Sequence, residues 1–496
     1  MRHKMDRGLP RRDLLRGILG SAAGSALLAI AGCAAPRPTR SAPADAPPTA
    51  APTMAPSPSS TPPGETATPT VGPQATAPAA PTAGPTAAIP QASPSSQPSP
   101  SPSAQTTLRL ATNHAAVEVP WFRKVLDDFA RANPTYRVEQ SNVTARYLEQ
   151  VASWAADGKL PDVVFVRSVH AAAWAYKRWI ATIDSLVLRD APALDLADFH
   201  APQVEELKLD GKWLLLPYEY SGQTLYSRSD AYPNAASAPR DDWTWADLAA
   251  AARGATRKDP TSARWGFAWA ADSGALAGLW LAEAGAFRRE DGRGISVSTA
   301  EHVRTTQWLA DLALVDGSSP KPGEAGSRAL VAGKLGAEID DASAAAGYRA
   351  AGTKVLATGL PKGAAGRRAS YATGSGWGLA QSAKDREAAW KLLRHLSSRD
   401  SLEILVALPV RSLPGRASAV PLWQAGVEAM EAVDHSEAIV RAASEGFPHK
   451  QAVWWLNYQD AFGELMPPVW SGQKKAAEAL PELERRVNAA AARYFA

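Results

Sequence analysis

The sequence predicts an α/β fold built as two lobes. Three observations carry this reading. From Thr107 to Val166 the order is strand, helix, strand, helix, strand. The last of these, Val163-Val164-Phe165-Val166, is a continuous apolar run, as expected for a strand buried on both faces of a parallel sheet. The 391 residues from 106 to 496 are more than one core usually serves and suit two.

Each element has its own signal. Thr107 to Thr112 (TLRLAT) reads as a strand. Trp121, Phe122, Val125, Leu126 and Phe129 fall at helical spacing, and Asn133-Pro134 stops that helix. Tyr136 to Glu139 reads as a short strand. Tyr147, Leu148, Val151 and Trp154 mark a second helix face, ended by Asp157-Gly158. In sheets of this kind ligands bind beyond the carboxyl ends of the strands. Asn113 and His114 follow the first strand; Arg167 and Ser168 follow the third. Asn113 and Ser168 are candidate hydrogen-bonding groups for a ligand, and equally candidates for capping or turn chemistry. Farther on, Thr244 reads as the N-cap of a helix, with Asp247 at its third position.

The first 105 residues are of another kind. Residues 1–32 carry six basic residues and then a short apolar stretch, Ile18 to Ala31, ending in small residues. This is the layout of an export signal, too short for a comfortable membrane-spanning helix. Ile30-Ala31-Gly32-Cys33 resembles a bacterial lipobox, which implies that Cys33, the chain's single cysteine, is acylated and becomes the mature N-terminus. Arg11-Arg12-Asp13-Leu14-Leu15-Arg16 resembles a twin-arginine motif, with Leu14 in place of the usual Phe. Residues 34–105 hold 20 of the 40 prolines, no aromatic residue and almost no charge. Such a segment cannot bury enough apolar surface to fold and reads as a disordered, partly extended linker, reaching roughly 220 Å at most.

Charge and motifs exclude several functions. Removing residues 1–32 leaves 47 basic and 47 acidic residues, so the +4 net charge belongs to the leader. A nucleic-acid binder needs a basic surplus, and none is present. No Walker sequence occurs, and Thr373-Gly374-Ser375-Gly376-Trp377-Gly378 lacks the first glycine of a nucleophile elbow. The eight histidines show no metal spacing, and no cofactor or metal is expected. Asp340-Asp341 reads as a loop or cap more readily than as a catalytic pair. Tryptophan stands out instead. Of 17, Trp265, Trp269, Trp377, Trp454, Trp455 and Trp470 sit beside glycine or in loops. Aromatic faces stack on the apolar faces of sugar rings while polar groups bond the hydroxyls.

The order of segments resembles the extracellular solute-binding proteins of ABC importers, the maltose-type group. Phe129 to Pro134 resembles "F-x-x-x-x-P"; Ala156-Asp157-Gly158-Lys159-Leu160-Pro161-Asp162-Val163 resembles "A-x-G-x-x-P-D-V"; Asp210 to Pro217 resembles "D-G-K-x-Y-x-L-P". Thr244-Trp245-Ala246-Asp247-Leu248, Trp265-Gly266-Phe267, Leu360-Pro361-Lys362-Gly363 and Glu387-Ala388-Ala389-Trp390 extend the likeness. The resemblance implies a periplasmic-binding-protein-like fold: two α/β lobes, a hinge and a ligand cleft between them. It implies lobe one from 106–220 and 375–430, lobe two from 221–374, and a helical segment 431–496 packed on lobe two. Crossovers are expected near Tyr218 to Gln223 and Gly374 to Gly378. The implied cleft residues are Asn113 and Ser168; Tyr218, Glu219 and Tyr220 at the hinge; Trp269 and Asp340 from lobe two; Ser375 and Trp377 at the return; Trp454; and Arg411, from a loop resembling "x-P-x-R". The implied function is a monomeric, non-enzymatic receptor on the outer face of the cytoplasmic membrane that passes a mono- or oligosaccharide to an ABC permease. The alternatives are the same fold with another polar solute such as a polyamine, and a tethered glycan hydrolase.

Overall fold

A computed structural model describes residues 105–496, except 233–237, 271, 327, 364, 365, 367, 369 and 408–410. The leader, Cys33 and the linker up to residue 104 lie outside the described residues, as does Leu408-Pro409-Val410.

The alternation read from the sequence is present. Strands β1 (Thr106–Thr112), β2 (Tyr136–Asn142) and β3 (Val163–Arg167) are parallel, with β1 in the middle. The helix Val119–Ala132 has Pro120 as its second residue, where a missing N–H is no loss in a first turn, and buries Phe122, Val125 and Phe129 on one stripe. The helix Tyr147–Ala156 follows β2, and β3 is buried throughout except at Arg167.

A short hairpin of β4 (Lys208–Leu209) and β5 (Lys212–Trp213) leads into β6 (Leu216–Ser221) and β7 (Thr224–Ser227). Then come β8 (Trp265–Ala268), β9 (Leu335–Asp340), β10 (Val355–Thr358), β11 (Tyr371–Leu379), β12 (Leu413–Pro414), β13 (Val433–Asp434) and β14 (Phe447–Pro448). One sheet has the order β12-β6-β11-β3-β1-β2, with β14 pairing β11; the other has the order β13-β10-β7-β9-β8. Each sheet has its own apolar core. Phe122, Phe165 and Trp377 belong to the first, and Trp280, Trp454 and Trp455 to the second. A third cluster takes Tyr220 and Leu413 from the first sheet and Tyr226 and Leu335 from the second, so the lobes share packed apolar surface beside the crossings.

The chain crosses at Gly222-Gln223, between β6 and β7. A Cβ on Gly222 would lie 1.9 Å from the Ala442 carbonyl oxygen, so the residue must be glycine for this close approach. The return differs from the sequence reading. Thr373 to Leu379 are all ladder-paired to β6 or β3, so Gly374–Gly378 lies inside the first sheet and the crossing comes before Tyr371. The C-terminal segment adds β13 to the second sheet, and its helices Trp455–Leu465 and Ala476–Ala492 pack into the second core. The helix Trp245–Ala255 begins with the expected capping box: Thr244 Oγ1 accepts from Asp247 N–H at 3.2 Å, and Asp247 Oδ2 accepts from Thr244 N–H at 2.8 Å. Among the described residues no helix is long and apolar enough to cross a membrane.

Candidate functional site

The carboxyl ends of parallel strands form two walls. In lobe one, β1 and β3 bring Asn113, Arg167 and Ser168 to one sheet edge. Register continues the row, since Arg167 pairs with Ser375 on β11 and Ser375 with Glu219 on β6. A bulge follows. Gly376 is opposite Pro217, which makes Tyr218 the extra residue. Bulges re-aim side chains and recur next to binding sites. Here Tyr218 enters the lobe-one core, where its hydroxyl lies 3.0 Å from His114 Nε2, and Glu219 stays half-buried at the edge.

Arg411 gathers this edge. Its Nη1 donates to Glu219 Oε1 at 3.1 Å, its Nη2 to the Asn113 carbonyl and Oδ1 at 3.3 Å each, and its Nε to Glu118 Oε1. Ser375 Oγ also donates to Glu219 Oε1, at 3.0 Å. The guanidinium lies over Phe165 and Tyr218, 5.6 and 5.8 Å from the ring centroids. With all three nitrogens engaged, Arg411 orders Asn113 and Glu219 more than it reaches outward. Burial pushes the Glu118 carboxyl up and outweighs the opposing pull of Arg411. Beside this cluster is a shallow recess, open to solvent and lined by Trp121, Glu219, Leu402, Val406 and Arg411 among others.

Lobe two supplies the other wall. Strands β8 and β9 are parallel, so Trp269 and Asp340 emerge from the same edge, with Asp272 just beyond Trp269. Trp269 is half-buried and packs edge-on against Trp470, with ring centroids 4.9 Å apart. Asp272 caps the helix Ser273–Glu283, accepting from the Gly274 and Ala275 N–H groups at 2.8 Å each. Solvent reaches Asp340, yet enough protein surrounds it that desolvation, with repulsion from Asp341, raises its carboxyl well above the usual range. Asp272 is raised in the same way, by burial, against the pull of its two N–H donors and of Arg167 in lobe one. Asp341 forms a local turn, accepting from Ser343 N–H at 2.8 Å. Among the described residues no group of three or more His, Cys, Asp or Glu is placed to hold a metal ion.

A family model described as "Bacterial extracellular solute-binding protein" matches residues 124–432. The chain belongs to this family. No curated protein matches this solute-binding protein. Several solved structures share its fold at low identity. ABC substrate-binding protein Lmo0181 from Listeria monocytogenes, in complex with cycloalternan, is 17% identical with a TM-score of 0.69, covering 78% of this chain and 98% of that one. The cyclic alpha-maltosyl-1,6-maltose binding protein from Arthrobacter globiformis is 19% identical, TM-score 0.65, covering 78% and 99%. Maltose-bound MalE3 from T. maritima is 17% identical, TM-score 0.63, covering 77% and 99%.

Of the residues singled out in the sequence of this solute-binding protein, Asn113, Glu219, Trp269, Asp340 and Arg411 reach the walls with surface to offer. The others do not. Trp377 is fully buried among Phe122, Phe165 and Tyr218. Trp454 is fully buried in the lobe-two core, where its Nε1 donates to the Gly292 carbonyl at 2.9 Å. Tyr218, Tyr220, Ser168 and Ser375 are also buried, so they support the walls from behind. The "x-P-x-R" pattern also fits Leu413-Pro414-Gly415-Arg416. Arg416 is the buried one, tied to Asp198 Oδ2 at 3.2 Å and to the Leu194 and Ser397 carbonyls at 2.9 and 2.7 Å. Trp121, Arg167 and Asp272 also keep exposed surface beside these edges, though the sequence alone did not mark them as cleft residues. Trp121 stands one position off the helix stripe that buries Phe122 and Phe129, and this was its available signal.

Proposed function

We propose that this solute-binding protein captures a carbohydrate between its lobes and delivers it to an ABC importer. It is held at the outer face of the cytoplasmic membrane by lipid on Cys33, through a proline-rich tether. The observation that carries this reading is the half-buried tryptophan Trp269 on one wall and pre-ordered acceptors, Asn113 and Glu219, on the other. A pyranose has apolar C–H faces and a rim of hydroxyls, so it asks for an aromatic platform and fixed hydrogen-bonding groups together. Arg411 and Ser375 hold Glu219 in place before ligand arrives, which lowers the ordering cost of binding. The cycloalternan and maltose complexes among the structural neighbours support a saccharide. Binding in such a cleft needs lobe closure and no chemistry on the ligand.

The position of Asp272 and Asp340 on the lobe-two wall favours a second reading, a cationic solute such as a polyamine, whose charge would offset the burial that raises both carboxyls. A thermal-shift screen of the mature chain separates the two, because a ligand that binds only the folded state raises the melting temperature. A shift with saccharides and none with spermidine supports the first reading. A shift with spermidine alone, or steady release of a hydrolysed product, overturns it.

A further inference from the structure

Glu206 is the last residue of the helix Ala201–Glu206 and is fully buried at a meeting of three chain segments. Its Oε1 accepts from Ser168 Oγ at 2.5 Å, at the start of the helix Ser168–Tyr176, and from Gly374 N–H at 3.1 Å, on β11. Its backbone carbonyl accepts from Gln451 Nε2 at 2.7 Å. The same nitrogen donates to the Ser168 carbonyl at 2.9 Å, and Gln451 Oε1 accepts from Ala172 N–H at 3.0 Å. Gln451 is four residues before the helix Trp455–Leu465, which packs in lobe two. The junction therefore joins the lobe-one wall, the return strand and the entry to the C-terminal helices. Gly374 fits it by lacking a side chain: a Cβ there would lie 2.4 Å from the Glu219 carbonyl oxygen and 2.9 Å from Gln203 Nε2.

The other carboxyl oxygen, Oε2, is buried with no hydrogen-bond partner among the described residues. Gln203 Oε1, one turn earlier on the same helix face, and Tyr220 Oη are in the same condition. An ionised Glu206 would leave a bare oxygen in a site that water does not reach, at high cost. A neutral acid still buries an unpaired polar atom but avoids the larger cost of an unpaired charge. We infer that Glu206 is a positioning residue behind the lobe-one wall: as a neutral acid it stays buried where Ser168, β11 and the segment before the C-terminal helices meet, and on ionisation its uncovered oxygen draws water in, so that the junction loosens and solute is held less tightly. This rests on the reading that solute binds between the lobes.

The surroundings isolate this group. Burial pushes the Glu206 carboxyl up to about 8, against the pull of Ser168 and Gly374 and the charge of Arg167. Arg167 is exposed and Gln451 carries no charge. His170, on the helix Ser168–Tyr176, is pushed down to about 4 by burial, and His449, beside β14, is pushed down well below its usual range. Tyr220 on β6 and Tyr371 on β11 are pushed up by burial, away from neutrality. Among the described residues at the junction, Glu206 is thus the group that changes charge between pH 5 and 9.

The native state keeps a proton that the unfolded state releases near the ordinary glutamate value. Stability from this group therefore falls as pH rises from about 4.5 to about 8, with the penalty complete above that. Glu338 and Asp340 in lobe two are also raised, so the test is the difference between wild type and Glu206→Gln. Melting curves without solute across pH 5–9 are expected to show a steeper loss for wild type than for E206Q. The dissociation constant of wild type for a saccharide ligand is expected to rise about threefold or more over pH 6–9, while that of E206Q rises less. Equal pH slopes for the two proteins overturn the inference. Should E206Q not fold, the carboxyl ¹³C shift of Glu206 in the wild type decides: a midpoint above 7 supports it and one below 6 overturns it. Absence of saccharide binding at every pH would contradict the cleft reading alone, because the melts are made without solute.

Discussion

Trp269 and Trp377 show two uses of one side chain. Trp377 fills the lobe-one core, and Trp377→Ala is expected to cost about 3–5 kcal/mol, measured by denaturant unfolding. Trp269 is only half-buried, packed edge-on against Trp470. Trp269→Ala is expected to weaken saccharide binding about tenfold or more with only a small change in melting temperature, as calorimetry and thermal melts would report. Arg411→Met removes the donor shared by Glu118, Glu219 and Asn113, and leaves buried acceptors unpaired. The expected loss is about 1–3 kcal/mol of stability, together with weaker binding. Residue identity alone could not sort these roles. Tryptophan is both a dense core filler and a good sugar platform, and the local sequence does not say which side of a sheet it faces. The bulge that sends Tyr218 inward depends on how β6 pairs with β11, a contact between residues far apart in the chain. What could be read were the groups at strand ends, where geometry follows from the strand itself; Asn113 stands at the end of β1, bonded to Arg411, for that reason.

Elements with local signals were the most legible. The capping box at Thr244 and Asp247 was written in two residues three apart, and it is present. Thr244→Ala is expected to lower stability by about 1 kcal/mol, since it frees the Asp247 N–H, and a chemical denaturation curve would measure it. The run Val163 to Val166 was legible because burial on both faces leaves no polar position. The return crossing was not, because Gly374–Gly378 reads as a flexible loop until its ladder partners on β3 and β6 are known. The hinge itself is sterically defined. Gly222→Val would drive a side chain into the Ala442 carbonyl and displace the helix Glu437–Ser444. The expected cost is about 1–3 kcal/mol, with a changed radius of gyration on adding ligand in small-angle scattering.

At the scale of the whole molecule, two sheets with their own cores are joined by short crossings and by a shared apolar cluster beside them. Strand–helix alternation and chain length foretold the lobes. Which strand-end residues are buried and which keep exposed surface required the tertiary structure. The acidic character of the lobe-two wall makes pH a test of ligand class. Asp340 is raised by burial and by Asp341, so it gains charge as pH rises through its shifted range. A cationic ligand should bind more tightly across that rise, whereas a neutral saccharide should not; a binding titration at pH 6 and pH 9 with Asp340→Asn as the control measures this. The central claim is that a saccharide binds between Trp269 and the Glu219 edge. Titration calorimetry of the mature chain with the best saccharide from the thermal screen tests it most directly. The predicted result is one site per chain, with affinity reduced at least about tenfold in both Trp269→Ala and Glu219→Ala. Binding of unchanged affinity in both variants, or no binding of any saccharide, would contradict it.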